Sequence, residues 1–352
     1  MTSFLKKALP WIGTALILGY MAMTTDIDRF IASLAYVDVW AFVGVTLIGA
    51  VIVYLSDSFC LSVLFRRFFR PVGFTDILAV KGTSYFLNVV NYNAGAGGVA
   101  LFMSKRFGFG FVECIGAMIF LNAMDLFGLS ILLSAGLAFG SDLLPTAYQE
   151  AMLWILVAMG AVFIGTLLFW VWKVPYLPGA IRSFRIFHGF RVARLSDYFV
   201  LIAIRTVFVA HYVILHWCYV HLFSLDVPLT HLLIYIPMLT FITVLPISIA
   251  GLGTTQVALR YFIAPYPPMA AIAPIVAGLF VLGGQSAPAP SVLLEQAGEL
   301  MLSQGANPMP AIDAYSTSGI LALLSARVLI GFFSLRSVSQ DFLKPTEANP
   351  SV

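Results

Sequence analysis

Three charged residues stand inside long apolar runs, where a charge needs a reason. Asp125 lies in the run 112–139, Arg205 in 198–223 and Arg327 in 312–335. An ionised side chain is costly in lipid, so it faces protein or a wet path and finds a partner. Asp125 can pair with Arg106, Arg205 or Arg327, either lining such a path or forming a purely structural pair. Arg205 stands one to two turns inside its run, so it can snorkel to the surface or bind a lipid phosphate. Arg327 lies deeper, which favours phosphate binding or a pair with Asp125.

Two further stretches carry polar groups at depth. Asn88, Asn91 and Asn93 precede Ala94-Gly95-Ala96-Gly97-Gly98, and Pro246 and Ser248 precede Ala250-Gly251-Leu252-Gly253-Thr254-Thr255-Gln256. The asparagines can bond a polar headgroup or cap broken helix ends. Helix N-termini after Gly98 and Gly253 can offer N–H groups to a phosphate, with Thr254, Thr255 and Gln256 beside them. Simple N-capping is the alternative. Gly95, Gly97, Gly98, Pro246, Gly251 and Gly253 are the hinge candidates, because glycine and proline interrupt helices.

Other chemistry is not encoded. His211, His216 and His221 recur every five residues and fan around a helix by about 140° per step, so they share no metal-binding face. Cys60, Cys114 and Cys218 lack C-x-x-C spacing and read as packed thiols. We find no nucleophile–base arrangement, phosphate loop or dinucleotide fingerprint, so neither an enzyme nor a cofactor is expected. Arg182, Arg185, His188, Arg191 and Arg194 interleave with Phe184, Phe187 and Phe190. That pattern predicts a short amphipathic helix anchored on anionic lipid.

The elements that must hold these residues are membrane helices. Of 352 residues, 61% are hydrophobic and only 10% charged. A soluble domain carries about 25% charged residues. The net charge of +3 is scattered between apolar runs, which excludes nucleic acid as a partner. The long continuous runs predict an all-α, polytopic helical membrane protein rather than a barrel. Basic residues set the topology. Lys6 and Lys7 precede a run at 9–24, read as a retained first span. Arg66, Arg67 and Arg70 precede the glycine-bearing run 77–103, and Lys105 and Arg106 follow it. That element therefore enters and leaves on the cytoplasmic side. The run 230–263 follows Asp226 and enters from outside. About six full spans (9–24, 38–64, 112–139, 151–172, 198–223 and 312–335) plus two re-entrant broken helices are expected.

Their shared A-G-x-G and opposite orientation make the two broken helices a candidate inverted repeat, a plan that places binding sites near the midplane. Helix-packing glycines without a ligand are the alternative. Residues 1–264 form the expected membrane domain. Residues 265–310 lack Lys and Arg but carry Glu295 and Glu299, and with Asp313 following they read as an extracytoplasmic insertion; 269–284 is too broken for a plain span. Residues 311–352 hold the last span and a cytoplasmic tail.

At the two glycine segments the sequence resembles the transmembrane, flippase-like region of the lysylphosphatidylglycerol synthase family. Asn88 to Arg106, then Asp125, occupy the family's first pattern. Its second, P-x-S-x-G-G-x-G-x-x-E, appears here as Pro246 to Gln256, and Arg327 stands for an arginine of the last helix. The resemblance covers most of 40–335 outside the insertion. Val99 stands near the first family glutamate and Gln256 replaces the second, which puts any role of those carboxylates in question. No aminoacyl-transferring domain follows within these residues, so lysyl-lipid synthesis is not implied. The expected function is translocation of a phospholipid or lipid-linked phosphate-bearing substrate. The alternative is a non-transporting scaffold for an envelope-lipid or polysaccharide pathway. Expected partners are membrane lipids, anionic ones first, with a second copy or an envelope-biosynthesis enzyme as further candidates. The expected location is the bacterial cytoplasmic (inner) membrane with both termini inside.

Overall fold

The computed structural model describes residues 34, 37–90, 92–140, 146–173, 179–223, 225, 227–244, 254–263 and 309–343. The expected first span at 9–24, nearly all of the insertion and the tail beyond 343 lie outside them. Among the described residues there is no β-strand.

Five helices are long and apolar enough to cross a membrane: α1 (Val39–Phe68), α4 (Phe111–Gly140), α5 (Thr146–Trp170), α7 (Leu195–Leu222) and α10 (Met309–Leu343). They match five of the six predicted spans. Their outward faces carry bare hydrophobics such as Trp154, Phe139, Phe332 and Phe333. Water would penalise such faces and lipid does not. Over half of the α4 window, 56%, is buried against 11% for α5. Helix α4 therefore runs through its unit while α5 faces outward.

The chain divides into two compact units, Met1–Ile48 with Tyr212–Ala322, and Gly49–His211 with Leu323–Val352. We call them the first and second unit.

In the second unit, α2 (Phe74–Val90) and α3 (Tyr92–Phe107) are separated by position 91 alone. They fold back on each other. Arg106 Nη2 meets Asp76 Oδ1 at 2.6 Å where the legs begin and end. Nearer the turn, a Cβ added to Gly98 would touch Leu87 and Ser84. Each leg has 17 or 16 residues, about 25 Å of helix against a hydrocarbon core of about 30 Å. This is the predicted broken helix, but its break is displaced. Gly95, Gly97 and Gly98 lie inside α3 rather than at the turn. Glycine costs about 1 kcal/mol in a helix. An unpaired backbone group in lipid costs several. The helix therefore continues, and the small residues let the legs close together. Gly108, at φ 70°, ends α3, its N–H bonding the Ser104 carbonyl at 2.9 Å in the left-handed stop that glycine favours.

The core of this unit joins Leu61, Leu64 and Phe65 of α1 to Ile77 and Val80 of α2, Met103 of α3, and Phe120 and Met124 of α4. The stretch 179–192 departs from the expected single amphipathic helix. It forms two 3₁₀ turns, Gly179–Ser183 and Arg185–Phe187, and α6 (His188–Val192). Inward aromatics break its periodicity: Phe190 packs on Phe120 at 5.0 Å and on Trp170 at 5.7 Å.

In the first unit, α8 (Leu229–Val244) and α9 (Thr254–Ile263) make the second helix pair. Tyr235 stacks on Phe262 at 4.9 Å, so these helices also fold back. At 16 and 10 residues they reach about 24 and 15 Å, short of a crossing.

Candidate functional site

Four helices of the second unit each bring one charged side chain to a common point. Asp57 comes from α1, Lys81 from α2, Asp125 from α4 and Arg205 from α7. Lys81 Nζ lies 2.6 Å from Asp57 Oδ2, and Arg205 Nη1 lies 2.9 Å from Asp57 Oδ1. Arg205 also donates through Nε to Asp125 Oδ1. The side chains of Arg205, Lys81, Asp57 and Asp125 are 3%, 8%, 11% and 14% exposed, so water screens none of these pairs well.

Backbone geometry sets the contact between α4 and α7. A Cβ on Gly128 would lie 3.1 Å from the Thr206 nitrogen. The missing side chain lets α7 approach, and one turn earlier on α4 stands Asp125. The Arg205 guanidinium also lies 4.0 Å over the Phe208 ring, a cation–π contact that aims it toward the carboxylates. On α2, Tyr54 donates its hydroxyl to the Leu78 carbonyl at 2.6 Å. A Cβ on Gly82 would collide with Ser334. Both contacts seat the leg that carries Lys81.

One end of this unit is basic. Arg67 pairs with Asp197, Arg70 Nη2 donates to the Phe107 carbonyl at 2.6 Å, and Arg185 lies 3.6 Å from Glu113. From Arg67 back to Asp57 is ten residues, from Asp197 to Arg205 eight and from Glu113 to Asp125 twelve. At 1.5 Å per residue these are about 12–18 Å. The ion network therefore lies about halfway through a 30 Å core.

The predicted site residues are distributed as follows. Asp125 and Arg205 are together. Arg106 goes instead to Asp76 at the mouth of the hairpin. The Arg327 guanidinium lies 5.9 Å over the Tyr85 ring, to which Lys81 Nζ also comes within 5.6 Å. Asn88 is on α2 and Asn93 on α3. Asn91, Pro246, Ser248, Gly251 and Gly253 lie outside the described residues. Thr254 begins α9, and Thr255 and Gln256 follow it, both buried in the first unit. A neutral amide at Gln256 avoids the cost of burying a carboxylate there. One turn on, Arg260 grips Asp313 with Nε and Nη2 at 2.5 and 2.6 Å. Asp313 is thus a buried ion-pair partner in the last predicted span. His216 Nδ1 meets the Tyr315 hydroxyl at 2.6 Å, while His221 Nδ1 meets the Trp217 carbonyl at 2.8 Å. No group of three His, Cys, Asp or Glu among the described residues is placed to share a metal ion.

Asp57 and Lys81 were missed in the sequence. A signal existed: each is the deepest charge in its own apolar run, and the two are of opposite sign.

Long apolar helices, outward hydrophobic faces and a buried ion network together define a polytopic helical integral membrane protein. The family model described as the lysylphosphatidylglycerol synthase TM region matches residues 10–283, and the chain belongs to that family. The match takes in the first predicted span and both helix pairs, and it ends before Arg327. No curated protein matches the chain.

Proposed function

We propose that the chain is a flippase-like translocase for a phospholipid or a lipid-linked, phosphate-bearing substrate. One observation carries the reading. A helical hairpin too short to cross the membrane brings Lys81 to a buried ion network near mid-depth. Interrupted helices meeting at the midplane are where transporters hold their substrates. The cations available there, Lys81, Arg205 and Arg327, are phosphate ligands by chemistry. The family description, which names a lipid, agrees with this class of substrate. Gathering of the basic helix ends at one face of the second unit supports placing that face in the cytoplasm. It also supports anionic lipids as neighbours. No step of bond making is required, so the reading is of a carrier and not an enzyme.

A second reading has an observation of its own. The four-residue network balances two carboxylates against two cations, as a structural clamp would. A non-transporting scaffold needs nothing more. Reconstitution separates the two. Proteoliposomes holding labelled phosphatidylglycerol, phosphatidylcholine or a polyprenyl phosphate are treated with a membrane-impermeant quencher. The translocase exposes inner-leaflet label, and Arg327→Ala and Asn91→Ala lose this exchange while still inserting and folding. Protein that exchanges none of the three lipids refutes the translocase reading.

A further inference from the structure

We propose that Lys81 is the headgroup-binding cation of the hairpin, and that Asp57 is the resident carboxylate it exchanges for a lipid phosphate. This rests on the translocase reading above.

The Asp57 carboxylate is held from two sides, Oδ2 by Lys81 at 2.6 Å and Oδ1 by Arg205 at 2.9 Å. Two cations converging on two oxygens of one anion would equally receive two non-bridging oxygens of a phosphate. The cations differ in how firmly they are held. Arg205 has a second carboxylate in Asp125, a ring beneath it in Phe208, and a helix locked against α4 at Gly128. Lys81 has one carboxylate among the described residues and a more distant ring, Tyr85 at 5.6 Å, and it rides on the short leg of a hairpin.

The leg is held at Leu78 and Gly82 by Tyr54 and Ser334, and two hydroxyls bond back into it around Lys81. Thr83 Oγ1 bonds the Ala79 carbonyl at 2.9 Å, and Ser84 Oγ bonds the carbonyl of Lys81 itself at 2.7 Å. Hydroxyls that bond back to their own helix compete with its ladder and let it bend. Movement that takes Lys81 from Asp57 leaves an ammonium that must find another anion or give up its proton. A replacement anion lets it stay charged. A phosphate-bearing headgroup supplies one and a phosphate-free glycolipid does not. Arg327 comes within 5.9 Å of the same Tyr85 ring as Lys81, which puts another phosphate ligand in the same part of the unit.

The test is binding to the purified full chain in detergent, by native mass spectrometry. The probes are phosphatidylglycerol, a phosphate-free glucosyl diacylglycerol and inorganic phosphate. Asp57→Asn removes the resident competitor and tightens phosphatidylglycerol binding about tenfold, a modest share of the coupling seen between close charge pairs. Lys81→Met abolishes binding and Lys81→Arg retains it. The pair Asp57→Asn/Lys81→Met removes both charges together, so it folds, and it binds as weakly as Lys81→Met. An Asp57→Asn protein that binds phosphatidylglycerol no more tightly than the parent overturns the proposal. So does a double variant with parental binding, or equal gain for the glucosyl lipid. Tightening confined to inorganic phosphate overturns the lipid assignment. Failure of the parent chain to move any lipid in liposomes would sink the translocase reading alone, since the binding comparison does not depend on movement.

Discussion

Replacing Arg205 by Met should destabilise the second unit strongly. The methionine keeps the length and apolar stem of arginine and removes only its charge and donors. Arg205 is 3% exposed and is held by Asp57 and Asp125. A unit pair at about 4 Å interacts by about 4 kcal/mol at an effective dielectric of 20. Asp57 keeps Lys81 at 2.6 Å, so its loss is partial. Asp125 loses this guanidinium while only 14% exposed. Removing one partner of a buried pair costs about 3–5 kcal/mol, and we expect Arg205→Met to fall in that range. For a chain of this size that lowers the melting temperature by about 4–7 °C. The assay is thermal unfolding of detergent-purified protein, followed by retention of the monodisperse peak on size exclusion. The double variant Arg205→Met/Asp125→Leu leaves Lys81 and Asp57 as a closed pair and should recover more than half of the loss. If Arg205→Met melts within about 1 °C of the parent, a shift of under 1 kcal/mol, the four residues are not a coupled network. If the single change is costly and the double recovers nothing, the cost is one of packing and not of an orphaned carboxylate.

Three further outcomes follow from the packing. Gly128→Val should push α7 off α4, because even a Cβ there would lie 3.1–3.3 Å from Thr206 and Arg205 backbone and hydroxyl atoms; its melting point should fall with that of Arg205→Met, and the two changes should be less than additive in a double-mutant cycle. Gly98→Ala should cost little, since the first atom met is the end of the half-exposed Leu87 side chain, whereas Gly98→Leu should separate the hairpin legs and raise cysteine cross-linking access at position 84. At the basic end, Asp197→Ala should destabilise more than Arg67→Ala: Arg67 is 35% exposed, so its pair contributes about 1 kcal/mol or less, while Asp197 also accepts the Arg194 N–H at 2.8 Å at the start of α7, a capping contact of about 1 kcal/mol. Equal melting points for the last two variants would refute that ordering.

The architecture was legible because lipid leaves the sequence few ways to hide. Five of the six predicted spans appear where the apolar runs lie, and the glycine-rich break in 77–103, together with its basic flanks, marked an element that folds back on itself. The break inside it was misplaced for a physical reason. Glycine propensity argues for a turn at Ala94–Gly98, but in a helix pressed against its neighbour the absence of a side chain is a packing asset. The two helices meet between Val90 and Tyr92 instead. The stretch 179–192 was misread in the opposite sense. Its regular alternation of Arg and Phe suggested one helix, but Phe187 and Phe190 pack inward and Phe184 does not, which the pattern could not distinguish.

The site was only half legible, and the missing half shows how to read such sequences. Asp125 and Arg205 were singled out because each is isolated in a long apolar run. Lys81 sits near enough to its helix start to pass for a snorkelling residue, and Asp57 sits three turns before a basic cluster that could be taken to neutralise it. Length decides against both. Asp57 is about 15 Å of helix from Arg67, farther than any arginine side chain reaches, so its countercharge had to come from another helix. Charges at depth must balance locally, since no solvent does it for them. Asp57 and Asp125 therefore required two cations at matching depth, and Lys81 and Arg205 are at that depth. Arg106, close to the hairpin mouth and the basic end, was never deep enough to serve Asp125. The same constraint links the fold to the proposed transport. On the proposal above, a hairpin leg whose buried cation is matched to a buried carboxylate keeps its charge on moving when another anion takes that carboxylate's place, and a lipid phosphate is the anion we propose.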